Sequence, residues 1–95
     1  MDKRIGQGRV LLQFTGAGGV TYKTEAYNVI ADGQDCGSLT RHRDIEGKIR
    51  WSFRTRPGYR DGAATTIGMI STTRTRRAAL WFLLPREVYN EIFVK

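Results

Sequence analysis

The sequence predicts an α+β fold that is mostly β: a single antiparallel sheet of about five to six strands, laid down as a meander of hairpins, with a short C-terminal helix. Three features carry this expectation. Val10, Leu12 and Phe14 recur at period two, the spacing of a strand buried on one face. Asp32-Gly33 follows a stretch rich in β-branched and aromatic residues and is the strongest two-residue hairpin signal. Pro85 precedes the i, i+4 pairs Val88/Ile92 and Tyr89/Phe93, the repeat of one helical face.

Taken in order, Gly8 to Thr15 forms the first strand, and GAGG at 16–19 ends it in a hairpin loop, because glycine tolerates positive φ and weakens a strand. Val20 to Ala31 is the second strand and Cys36 to Arg43 the third. The next hairpin has two possible registers, and a one-residue slip would move every side chain to the other face. A two-residue loop at Glu46-Gly47 sets Arg43 against Arg50 and places Trp51 and Phe53 against His42 and Thr40, which are poor cross-strand pairs. A three-residue loop, Ile45-Glu46-Gly47, uses Gly47 at the left-handed position of a type I turn with a bulge. It opposes Asp44 to Lys48 and Leu39 to Phe53, and is the register expected.

This register sorts the hairpin into two faces. Leu39, Arg41, Arg43, Ile49, Trp51 and Phe53 share one; Ser38, Thr40, His42, Asp44, Lys48, Arg50, Ser52 and Arg54 share the other. The first is the core face near Leu39 and Phe53. Burying Arg41 and Arg43 fully would be costly, so the tip should project beyond the core.

Beyond Pro57-Gly58 and Asp61-Gly62, Ala63, Ile67 and Ile70 have helical spacing, but Thr65, Thr66, Thr72 and Thr73 favour a strand and Ile67, Met69 and Ser71 alternate, so a strand is expected over 64–71 with a helix as the alternative. The apolar run Ala78 to Leu84 is consistent with a central buried strand, with STTRTRR at the tip of the hairpin between the two. Periodicity alone leaves a buried helix open for such a run. Pro85 fits the first turn of the C-terminal helix, and Glu87 lies where the helix dipole favours a carboxylate.

With 95 residues, 40% of them hydrophobic and 26% charged, residues 1–95 form one domain with a single core. The longest apolar run falls far short of the roughly 20 residues of a membrane-spanning helix. MDKRIGQGR shows no apolar signal-peptide core. A cytoplasmic setting and no membrane partner are expected. The lone Cys36 has no intramolecular disulfide partner.

The net charge is +7, and it is uneven. Arg41, Arg43, Lys48, Arg50, Arg54, Arg56 and Arg60 face only Asp44 and Glu46 between positions 41 and 60, a local +5. Arg74, Arg76 and Arg77 form a second focus. Such fields attract polyanions, and arginine adds bidentate forks to phosphate or carboxylate. The competing explanation is an arginine-rich solvated surface.

Catalytic chemistry finds little footing. Cys36 and His42, the sole thiol and imidazole, lie about 20 Å apart if they share one strand. Four zinc ligands of the usual types are lacking. GAGG has no G-K-[ST] ending and opens no clear helix, so a hairpin turn is its better reading. Glu46-Gly47-Lys48 matches the E-x-K part of a metal-dependent nuclease signature, but Gly47 reads as a loop residue where a rigid strand is needed. The signatures of the RNA-recognition, zinc-finger and KH modules are absent. No catalytic residue, metal or cofactor is expected.

Two classes of function remain. The first is a non-enzymatic module contacting nucleic-acid phosphates through Lys48, Arg50 and Arg54, with Arg56 and Arg60 beyond the strand and Arg41 and Trp51 at the tip for stacking. The foci at Arg74, Arg76 and Arg77 belong to the same candidate surface. The second is a small inhibitor or adaptor, of the sort viruses and mobile elements encode, that presents the same arginines to an acidic protein surface. Edge strands also allow a homodimer by sheet-edge pairing.

Overall fold

The computed structural model describes residues 1–18, 24–55 and 70–94. Six strands pair antiparallel in chain order: β1 (Lys3–Ile5), β2 (Val10–Gly18), β3 (Thr24–Ala31), β4 (Gln34–Arg43), β5 (Ile49–Thr55) and β6 (Ile70–Thr73). Two helices follow, α1 (Arg76–Leu83) and α2 (Arg86–Phe93). The expected meander with a helical C-terminus is therefore present.

Local turn chemistry explains the sheet. Asp32 and Gly33 both take positive φ, 48° and 81°, the pattern of a type I′ turn whose twist matches its flanking strands. At the next hairpin Gly47 sits at φ 81°. Leu39 opposes Phe53, Arg41 opposes Trp51 and Arg43 opposes Ile49, which is the three-residue-loop register. Asp44 closes that loop by accepting from the backbone N–H of Glu46 at 2.9 Å and of Lys48 at 3.0 Å.

Three expectations need correction. Residues 16–18 do not leave the sheet: β2 runs on to Gly18 through a bulge between Phe14 and Gly16, which absorbs the glycine without ending the pairing. The first strand is preceded by a short one, β1, whose three residues are too few to show a period.

The third correction is the largest. Ala78–Leu84 is not a strand, and 71–77 is not a hairpin tip: β6 ends at Thr73 and α1 begins at Arg76. Thr75 is its N-cap, its hydroxyl accepting from the Ala78 N–H at 3.1 Å. Within the apolar run, Ala79, Leu80 and Leu83 are buried at helical spacing, while Trp81 is 36% exposed beneath the Arg86 guanidinium. The expected residues 20–23, the two turns after Thr55 and positions 64–69 lie outside the described residues.

Both helices cover one face of the sheet. Val10, Leu12, Tyr27, Val29, Leu39 and Phe53 from the strands meet Leu80, Leu83, Leu84 and Val88 in one core. Phe53 stacks on Phe82 with ring centroids 5.0 Å apart. Arg77 ties the helices together: it donates to the Tyr89 hydroxyl and to the Phe93 carbonyl, and its guanidinium lies 5.4 Å over the Phe93 ring. A cation at the C-terminus of α2 is where the helix dipole favours it. Arg9 forks onto Asp32 and also bonds Glu91, joining the sheet to α2. The Asp32 bond raises the Arg9 pKa and holds the Asp32 carboxyl below its usual range.

Candidate nucleic-acid interface

Strand parity places on the second sheet face every residue that alternates with the core. Along β1 to β6 this face presents Arg4; Leu11 and Gln13; Ala26, Asn28 and Ile30; Asp35, Ser38, Thr40 and His42; Arg50, Ser52 and Arg54; and Thr72. No described element packs over it. Short polar groups of β3 to β6 make up much of its floor, Leu11 and Ile30 form an apolar strip beside Arg4, Asp35 adds a carboxylate in the same row, and Arg50 and Arg54 lie on β5.

The floor is internally bonded. His42 Nε2 and Ser52 Oγ lie 2.7 Å apart, and Ser52 Oγ lies 3.3 Å from Thr72 Oγ1, a chain across three strands. Ser38, Thr40, Ser52, Phe53 and Arg54 line a shallow depression of about 320 Å³. The serine–imidazole contact is a diagonal cross-strand bond. Asp44, at the hairpin end of this side, is held below its usual range chiefly by the Lys48 N–H and then the Glu46 N–H and Arg50. Asp44 is thus committed to its loop and to Arg50, 3.3 Å away.

The predicted cations separate into three groups. Lys48, Arg50 and Arg54 lie on the uncovered side, as expected, but they are not equivalent: Lys48 pairs with Glu46 at 3.4 Å and Arg50 with Asp44. Arg54 is exposed and has no ion pair among the described residues. Arg41 and Trp51 lie on the helix side. Arg41 pairs with Glu25 at 3.4 Å, and Trp51 packs half-buried against the core. Glu25 also accepts from the Tyr27 hydroxyl, the main cause of its lowered pKa, while burial first and this bond second raise that of Tyr27.

Arg74 precedes the Thr75 N-cap, and Arg76 and Arg77 open α1, where the dipole does not favour cations. Arg77 is engaged with α2, and Arg74 is exposed. Arg56 and Arg60 lie outside the described residues. Arg4 is the functional candidate that the residue pattern missed. It is exposed on the uncovered face, and only its pairing opposite Leu11 reveals that position.

Among the described residues no three of His, Cys, Asp and Glu come together as metal ligands, and no helix is long and apolar enough to cross a membrane. No protein-family model matches the chain, and comparison with curated proteins and with solved structures returns no match.

Proposed function

We propose that the protein is a non-enzymatic nucleic-acid-binding module whose uncovered sheet face docks on the phosphate backbone. The observation that supports this most is Arg54: an exposed guanidinium without an ion pair among the described residues, set in a depression whose other walls include the Ser38, Thr40 and Ser52 hydroxyls. A guanidinium fork with neighbouring hydroxyl donors is the donor set that phosphate oxygens accept. Arg4, exposed and without an ion pair among the described residues, adds a second cation on the same face, and Arg50 and Lys48 supply charge shared with their carboxylates.

The reading is tested by fluorescence anisotropy against a labelled oligonucleotide at increasing salt. Each phosphate contact contributes about 0.9 to the slope of log K against log salt on duplex DNA. Arg54→Gln should therefore flatten the slope by about 0.9, and Lys48→Gln by less, because Lys48 is already paired with Glu46. Undetectable binding at low ionic strength would refute the reading.

One observation favours a second reading, an inhibitor or adaptor docking on an acidic protein surface. Ile45 is 92% exposed at the tip of the β4–β5 hairpin, and that tip extends past the last described pairings of its neighbours, Glu25 with Arg41 and Thr73 with Trp51. An exposed apolar tip ringed by charge suits insertion into a partner. Recovery of a nuclease-resistant protein complex from cell extract would favour it over nucleic acid. Homodimerisation through the short edges β1 or β6 is a further proposal, which a monomeric mass at high concentration would remove.

A further inference from the structure

We infer that protonation of His42 tightens the hold of the uncovered face on nucleic acid, which makes binding there proton-coupled; the inference rests on the nucleic-acid reading above. Imidazole is the side chain whose charge ordinarily changes between about pH 5 and 8, and His42 is the sole imidazole of the chain. It lies half-buried on the uncovered face of β4, opposite Arg50 on β5.

The charges around His42 leave its own charge decisive. Asp44 lies two residues further along, and Arg50 and Lys48 stand across the hairpin. Asp44 pairs with Arg50 and Glu46 with Lys48, so these four groups add no net charge at the hairpin end. On the other side, β3 brings the uncharged Ala26 and Asn28 to this face, and β6 brings Thr72. Asp44 keeps its charge on mild acidification, because the Lys48 N–H, then the Glu46 N–H and Arg50, hold its carboxyl below the usual range. An imidazolium therefore turns this end of the face from balanced to positive.

Hydrogen bonding carries the change across the sheet. His42 Nε2 lies 2.7 Å from Ser52 Oγ, which lies 3.3 Å from Thr72 Oγ1. A ring with a bare Nε2 accepts the Ser52 proton, and Ser52 Oγ accepts that of Thr72, so both hydroxyl protons are turned into the chain. In the imidazolium both ring nitrogens are donors. Nε2 then donates to Ser52 Oγ, the Ser52 proton turns to Thr72 Oγ1, and the exposed Thr72 hydroxyl points its proton to solvent. One proton taken up gives the face one positive charge and one outward donor, the two features that draw phosphate oxygens.

The experiment titrates the full chain with a labelled mixed-sequence duplex oligonucleotide, followed by anisotropy between about pH 5.5 and 8 at several salt concentrations. Affinity should rise about two- to fivefold toward the acid end, the worth of one partly exposed ion pair. The slope of log K against log salt should steepen there by up to about 0.9. His42→Gln should flatten both responses while circular dichroism stays unchanged. In the unaltered chain, the proton NMR titration of the single imidazole should move to higher pH when the oligonucleotide is bound. Binding that does not vary with pH, or an imidazole titration that the oligonucleotide leaves in place, overturns the inference and leaves the nucleic-acid reading standing. A pH dependence that survives in His42→Gln overturns the assignment to His42. Absence of binding at every pH overturns both the inference and the reading.

Discussion

Gly37 has the least room of the described glycines, and replacing it with alanine is a severe test of the architecture. Its φ is 139°, and an added Cβ would lie 2.2 Å from the Arg54 carbonyl oxygen, 3.0 Å from Leu83 Cδ2 and 3.1 Å from Thr55 Cα. Two of these three contacts are backbone and cannot rotate away. Holding a non-glycine residue in that backbone region costs about 1–3 kcal/mol, and forcing a methyl group into a packed site costs about 1–3 kcal/mol more. Gly37→Ala should therefore lose about 2–6 kcal/mol of a total that scales to about 5–14 kcal/mol for a chain of this size.

Gly47→Ala is the internal control. Its φ of 81° is also positive, but nothing lies within 4 Å of its added Cβ, so only the backbone term of about 1–2 kcal/mol applies. Urea denaturation followed by Trp51 and Trp81 fluorescence measures both. A Gly37→Ala loss no larger than that of Gly47→Ala would show that β4 does not approach β5 and α1 as closely as described. The same approach fixes the backbone of Arg54, so the variant should also weaken polyanion binding if it folds.

Other expectations concern the helix start and acid stability. Thr75→Ala removes the hydroxyl that accepts from the Ala78 N–H and should cost about 1 kcal/mol, with Thr75→Ser restoring most of it; no change in the urea midpoint would place the start of α1 elsewhere. Glu25, Asp32 and Asp44 all have lowered pKa values in the fold. Their stabilisation is thus present above the ordinary carboxylate range near pH 4 and is lost as pH falls through the lowered values. The urea midpoint should drop on acidification below about pH 4, and Asp44→Asn should make that drop shallower; an equally deep drop in the variant would remove Asp44 from the account.

Where a feature depended on neighbours in the chain, it was legible from residues alone. The Asp32-Gly33 turn follows from two residues that accept positive φ, and the β4–β5 register from Gly47 together with the pairs that each alternative would make. Parity along β5 separates Arg50 and Arg54 from Trp51 and Phe53 independently of any tertiary contact. Net charge and the arginine foci are composition and needed no fold.

Contacts distant in sequence decided the rest. Ala78–Leu84 is uniformly apolar, so its own pattern suits strand or helix; burying the single sheet's apolar face requires a covering layer, and Thr75 supplies the helix start. Which arginines remain available depended on convergence that no spacing announces. Arg77 is taken by Tyr89 and Phe93, and Arg41 by Glu25, whereas Arg4 and Arg54 are left exposed on one uncovered face. Local backbone preference therefore determined the turns and the faces, and only the tertiary packing decided which face was covered and which charges were already neutralised, because burial and ion pairing are properties of groups brought together by the chain's return.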